Sequence, residues 1–183
     1  SPGTELLVYR GLAPLGLARD ETITALAGDF TFPLTYGYAA VGQVVELGPG
    51  VAPAWKDRLV FAFQPHASHF LATPDELLRV PAGLNPEEAV FFPNMETAVT
   101  LLLDGQPRMG EQVAIFGQGI VGLLLTALIS RWPLSSLVTL DLFPRRRLLS
   151  DNLGAHLSLD PSAPDVMERL AANNKQVGGQ FLN

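Results

Sequence analysis

The chain of 183 residues contains no cysteine. That absence excludes disulfides and any thiolate metal site, and it fits a reducing, cytoplasmic setting. Positive charge is scarce too: 12 Lys and Arg stand against 18 Asp and Glu, a net charge of −6. A basic footprint for nucleic acid is therefore missing. No apolar run is long enough to span a membrane; the longest, Ile120 to Ile129, is short and interrupted by Gly122. The sequence opens with no secretory signal pattern and without Met, which implies that its first residue is not the native N-terminus. Internal repeats and low-complexity segments are also lacking. What remains is 48% hydrophobic and 16% charged, a composition suited to a soluble globular protein with ample core. The length suggests one domain or parts of two.

The most informative stretch is VAIFGQGIVG, residues 113–122. A short buried-strand pattern runs into Gly117, Gly119 and Gly122, with Gln118, Ile120 and Val121 between them, in G-x-G-x-x-G spacing. A helix-length apolar segment follows, then a second strand from Ser136 to Leu140 ending in Asp141. This order is that of a dinucleotide-binding βαβ unit. Gly117 would permit the tight turn, Gly119 the approach of a pyrophosphate, and Gly122 close helix–strand packing. The N–H groups and positive dipole end of the helix start would hold phosphate. A glycine-rich turn in another kind of α/β domain is the plainer alternative.

Asp141 would accept hydrogen bonds from the adenosine ribose hydroxyls and repel a 2′-phosphate, which favours NAD. The run Arg145, Arg146 and Arg147 keeps NADP open, because a guanidinium such as that of Arg146 could grip a 2′-phosphate. The plainer reading of these arginines is a solvated first turn of the next helix.

Two compositional halves are expected. Residues 1–85 are rich in Gly and Pro, with strands at Val41 to Leu47, Arg58 to Phe63 and Leu77 to Val80. Residues 86–110 read as a helical linker, with Asn85 capping a piece from Pro86 to Phe92 and a second piece from Glu96 to Asp104. From 111 to 183, strands at 113–116, 136–141 and 155–159 alternate with helices at 120–131, 145–153 and 164–173. That alternation predicts a parallel doubly wound sheet. Gly178 to Asn183 reads as the start of a further strand, whereas such a sheet has about six.

Together these features resemble the medium-chain dehydrogenase/reductase superfamily, the relatives of zinc-type alcohol dehydrogenases. Gly3-Thr4-Glu5 is similar to the G-T-D after the first zinc-ligand cysteine. Gly37-Tyr38-Ala39-Ala40-Val41-Gly42-Gln43-Val44 is similar to G-H-E-x-x-G-x-V, and Lys56 to Val60 to G-D-R-V. Leu77 to Leu84 resembles the segment before the linker, Thr97-Ala98 the T-A of the linker helix, Gly110 to Val113 the G-E-x-V, and Leu153-Gly154-Ala155 the L-G-A before the third strand. The order of these matches carries the resemblance over nearly the whole chain. It implies an α/β protein: a GroES-like β-rich domain, then a Rossmann domain cut short. It also implies hydride transfer between NAD(P) and a small-molecule alcohol/carbonyl or activated alkene, in a cleft between the domains. Dimer contacts would lie in a C-terminal half outside this sequence. Gly37-Tyr38 and the S-x-G-T-E of Ser1 to Glu5 further resemble a branch that includes bacteriochlorophyllide hydroxyethyl dehydrogenases, although Ala39 replaces a Glu of that branch.

The departures concern zinc. On this alignment the ligand places hold Pro2, Tyr38 and Pro93, and Ala39 stands where a nearby Glu is expected. Proline and alanine cannot ligate the metal, and a neutral phenol is a poor ligand, so no catalytic zinc is expected. His66 and His69 form the one candidate imidazole pair; plain surface histidines, a metal pair and a general acid are the alternatives. By resemblance, Thr4 stands where a hydroxyl relays a proton, and Tyr38 could donate a hydrogen bond to a developing oxyanion. Each has a packing or capping role as its plainer alternative. Glu96 reads as a helix cap or a cofactor-orienting carboxylate, and Thr97 as a contact on the nicotinamide side. A nucleotide-binding redox sensor without catalysis, and a piece of a longer enzyme, are the competing expectations.

Overall fold

The computed structural model describes residues 3–14 and 30–178. They fall into two compact units that divide between Pro93 and Asn94, within the stretch read from sequence as a linker.

The first unit holds a three-stranded antiparallel sheet in the order β1 (Ala40–Gln43), β2 (Leu59–Ala62), β3 (Leu78–Arg79). Val41 pairs with Phe61, and Phe61 with Leu78. Val60, Phe61 and Ala62 are buried, and the Phe61 ring meets Phe63 edge-on at 5.1 Å and Phe92 at 5.2 Å. Such aromatic pairs add to the burial of apolar area. The first strand is shorter than the sequence pattern suggests. Val44 still exchanges hydrogen bonds with Arg58 and Asp57, but Asp57 takes φ 61° and turns its strand away. A short helix unforeseen in the sequence, α1 (Thr4–Tyr9), precedes the sheet and buries Val8. The next helix, α2 (Pro86–Ala89), starts as expected: the Asn85 side chain accepts from the Glu88 N–H at 2.8 Å, and Glu88 accepts from the Asn85 N–H at 3.1 Å.

The second unit is a parallel sheet of β4 (Gln112–Phe116), β5 (Ser136–Leu140) and β6 (Leu157–Leu159), in that order. Between them run α4 (Ile120–Ile129) and α5 (Pro144–Asn152), with α6 (Val166–Gly178) after β6. The long helix α3 (Phe92–Gly105) begins before the division and continues into this unit. All five residues of β5 are buried, as in a strand covered on both faces. Alternation along β5 sends Leu137 to a cluster with Leu102, Ile115, Leu125 and Ile129. Val138 and Leu140 point the other way, to Leu159, Val166 and Leu170. Burying a leucine of this kind is worth roughly 1.5–3 kcal/mol. Two expectations need correction. Gly178 ends α6 rather than beginning a strand, and the residues after it, 179–183, lie outside those described. Glu96 does not cap α3, because the helix already begins at Phe92.

Candidate nucleotide-binding site

β4 ends at Phe116, and Gly117 turns the chain with φ +86°, a conformation side chains resist. The Gly117 N–H still donates to the Leu140 carbonyl at 2.7 Å, so the turn is fastened to the end of β5. Gly119 is the N-cap residue of α4, and the first helical bond runs from Leu123 N–H to Gly119 O at 2.9 Å. The N–H groups of Gly119, Ile120, Val121 and Gly122 precede that bond and have no helical partner of their own.

The glycines differ in what requires them. A Cβ on Gly122 would sit 1.9 Å from the Gly117 carbonyl oxygen, so close packing inside the loop excludes any side chain. A Cβ on Gly119 would meet nothing within 4 Å, and its φ of −72° suits any residue. The chain itself therefore gives no reason for glycine there. The space in front of it is open, next to the first N–H groups of the helix and its positive dipole end, an arrangement suited to an anion.

Gln118 is fully buried and turned inward. Its Oε1 lies 2.9 Å from the hydroxyl of Thr126, which is also 2.8 Å from the Gly122 carbonyl. Its N–H donates to Asp141 Oδ2 at 2.7 Å. Gln118 thus fixes the loop from behind, and its N–H is already taken.

Asp141 is 6% exposed. Its Oδ1 accepts from the Phe143 N–H at 2.8 Å, and its Oδ2 also faces Arg146 Nη1 at 3.4 Å. Burial raises its pKa, but the N–H groups of Phe143 and Gln118 and the charge of Arg146 outweigh it and hold the carboxyl below the usual range. Arg146 lies over the Phe143 ring at 4.7 Å, with a partly exposed guanidinium. Arg147, in the run read as either a phosphate grip or a solvated helix turn, donates to the carbonyls of Asp141 at 2.7 Å and Leu142 at 2.9 Å and pairs with Asp160 at 3.1 Å. It ties the end of β5 to the loop after β6. Only an acid in matching position after the next strand, Asp160, could have hinted at this.

Gly117, Gln118, Gly119, Ile120, Val121, Gly122, Asp141 and Arg146 therefore come together at one corner of the second unit. Thr97 is exposed in α3. Thr4 and Tyr38 belong to the first unit. Thr4 opens α1, and its hydroxyl lies outside what the structure describes; Tyr38 is half-buried before β1. Of the zinc-ligand places, Pro2 lies outside the described residues, and Pro93 is buried. Among the described residues, no three His, Cys, Asp or Glu side chains gather as a metal site. His66 Nε2 is 2.9 Å from Glu5 Oε1, and His69 is exposed.

No protein-family model matches the chain. It is 27% identical over 163 residues to (R,R)-butanediol dehydrogenase of Bacillus subtilis, covering 74% of this chain and 46% of that protein. It is 25% identical over 185 residues to sorbitol dehydrogenase 1 of Saccharomyces cerevisiae, covering 82% and 52%. These similarities support the resemblance to the medium-chain dehydrogenase/reductase superfamily. It spans about half the length of these curated relatives. The fold is matched over 94% of the chain by Escherichia coli quinone oxidoreductase, solved with NADPH, at TM-score 0.71, 20% identity and 51% coverage of that chain. Quinone oxidoreductase from Thermus thermophilus matches at 28% identity and TM-score 0.56, covering 74% and 43%. The corner of Gly117 to Gly122 and Asp141 is this chain's nucleotide-binding candidate. No helix among the described residues is long and apolar enough to cross a membrane.

Proposed function

We propose that the protein is an NAD(P)-dependent oxidoreductase of small molecules, moving a hydride between the nicotinamide and an alcohol/carbonyl pair or an activated alkene, without catalytic zinc. One observation carries this reading: the open space before Gly119, faced by unpartnered helix-start N–H groups. Gly119, Ile120, Val121 and Gly122 would hold the pyrophosphate. When bound, the dinucleotide supplies or accepts the hydride. Asp141 supports NAD as the cofactor, and Arg146 is the residue through which NADP would be accepted. Thr97 would contact the nicotinamide side. Thr4 and Tyr38 are the hydroxyl groups proposed to serve the substrate oxygen, from a GroES-like domain spanning 1–85. The linker 86–110 and the Rossmann portion 111–183 complete the proposed layout.

Fluorescence titration with NADH and NADPH tests the reading, with micromolar binding and an NADH preference expected. Absence of binding to the full-length protein ends it. Turnover is then assayed on alcohols, aldehydes and enones. Non-ligating residues at the zinc places equally favour a second reading, a nucleotide-binding redox sensor, which predicts binding without turnover.

A further inference from the structure

We infer that His156 is a pH-sensitive fastener of the parallel sheet: its neutral ring closes the first rung between β5 and β6, and its protonated ring opens it. The inference stands apart from the nucleotide reading and lies wholly within the second unit.

His156 meets Leu137 twice. Its N–H donates to the Leu137 carbonyl at 2.9 Å, and its Nδ1 accepts from the Leu137 N–H at 2.9 Å. Within a parallel ladder both bonds of a strand residue go to backbone groups of its neighbour. Here the chain before His156 is still in the turn at Gly154, which has φ +102° and donates its N–H to the Asp151 carbonyl at 3.0 Å. The imidazole therefore supplies the acceptor that the backbone does not. Leu137 is fully buried in a strand covered on both faces, so its N–H depends on this one partner. His156 is exposed, so its ring exchanges protons with solvent.

A ring nitrogen that accepts a hydrogen bond carries no proton. The neutral ring that fits here holds its proton on Nε2. A protonated ring has donors at both nitrogens and no acceptor, so its Nδ1–H would face the Leu137 N–H. Acid thus breaks the bond and strands a buried donor. The closed rung excludes one proton, so its contribution is present above the ordinary imidazole value of about 6.5 and is withdrawn as pH falls below it. The charged side chains on the elements packed around this start are the three arginines and Asp151 of α5, Glu168 and Arg169 of α6, and Arg131 after α4. Among the described residues none of them hydrogen-bonds or pairs with His156. Further along, the ladder is held by groups that do not titrate in this range. Thr139 Oγ1 lies 2.7 Å from Ser158 Oγ, and the Asp141 N–H donates to the Leu159 carbonyl at 3.1 Å. Opening is therefore confined to the start of the ladder.

The test is hydrogen exchange of backbone amides in the full-length protein, corrected for intrinsic rates, about one pH unit above and below the imidazole value. The Thr139 amide in the middle of β5 is the internal reference. Protection of the Leu137 amide relative to Thr139 falls about tenfold from the higher to the lower pH. In His156→Asn the amide oxygen stands in for Nδ1 and does not titrate, so protection is kept at both. In His156→Ala it is low at both. Nitrogen NMR of labelled histidine shows the Nε2–H tautomer of His156 at the higher pH. Equal relative protection of wild-type Leu137 at the two pH values overturns the inference, as does an Nδ1–H tautomer or an undiminished pH effect in His156→Asn. The wild-type measurement decides the matter even where a variant does not fold.

Discussion

Gly119 and Gly122 belong to one motif, yet they are glycine for opposite reasons. Gly122 is required from inside, because a Cβ there would lie 1.9 Å from the Gly117 carbonyl oxygen, far inside contact distance. Gly119 meets nothing of its own chain. Replacing Gly122 by Ala should cost about 1–3 kcal/mol or more, read as a lower urea midpoint. Gly119→Val should leave that midpoint near wild type while weakening NADH binding about 100-fold, roughly 3 kcal/mol. Equal loss of stability in both variants would refute the ligand-based account of Gly119. Asp141 makes a different prediction. Its folded-state pKa is depressed, so its contribution is fully present above the unfolded value of about 3.9 and is lost as pH falls through the lower folded value. Asp141→Asn should therefore destabilise by about 1.5–3 kcal/mol at neutral pH. The gap to wild type should close in urea titrations below about pH 4.

Elements whose start or turn is written in local chemistry were legible. Asn85 and Glu88 stand at capping-box spacing before an apolar run, and the helix begins there with both reciprocal bonds formed. Asn85→Ala should lower stability by about 1 kcal/mol, seen as a shifted denaturation midpoint with unchanged slope. Strands of the parallel sheet were legible because buried apolar runs alternate with helices. Four things were not. Helix α1 lies in a region whose Gly and Pro content reads as loop and strand, and only the packing of Val8 reveals its inner face. The Arg147 bonds depend on Asp160, which the fold brings close from beyond β6. The inward turn of Gln118 toward Thr126 is a long-range fit that the glycine spacing says nothing about. The hydroxyl cluster of Thr139, Ser150 and Ser158 is of the same kind: both serines lie 2.7 Å from Thr139 Oγ1, linking β5 to α5 and β6. Thr139→Val keeps the volume but strands two hydroxyls, and should cost about 1–3 kcal/mol.

Across the whole molecule, the two units serve different parts of the proposed chemistry. The second holds the strand–glycine turn–helix corner proposed to bind the dinucleotide. The first holds Tyr38 and Ala39, and with Pro93 they stand at the places where the resemblance would put zinc ligands and their neighbouring Glu. The zinc-free proposal rests on them together: a catalytic zinc takes three protein ligands, and proline and alanine offer none. Metal removal is therefore the decisive experiment at this scale. Elemental analysis of the purified full-length protein should find zinc far below stoichiometry, and prolonged dialysis against a chelator should leave NADH affinity, far-UV circular dichroism and turnover unchanged. A stoichiometric zinc whose removal abolishes turnover, restored on adding the metal back, would show that ligands come from elsewhere in the protein. The prediction for Gly119 would still stand, because that glycine is proposed to answer to the nucleotide and not to the metal.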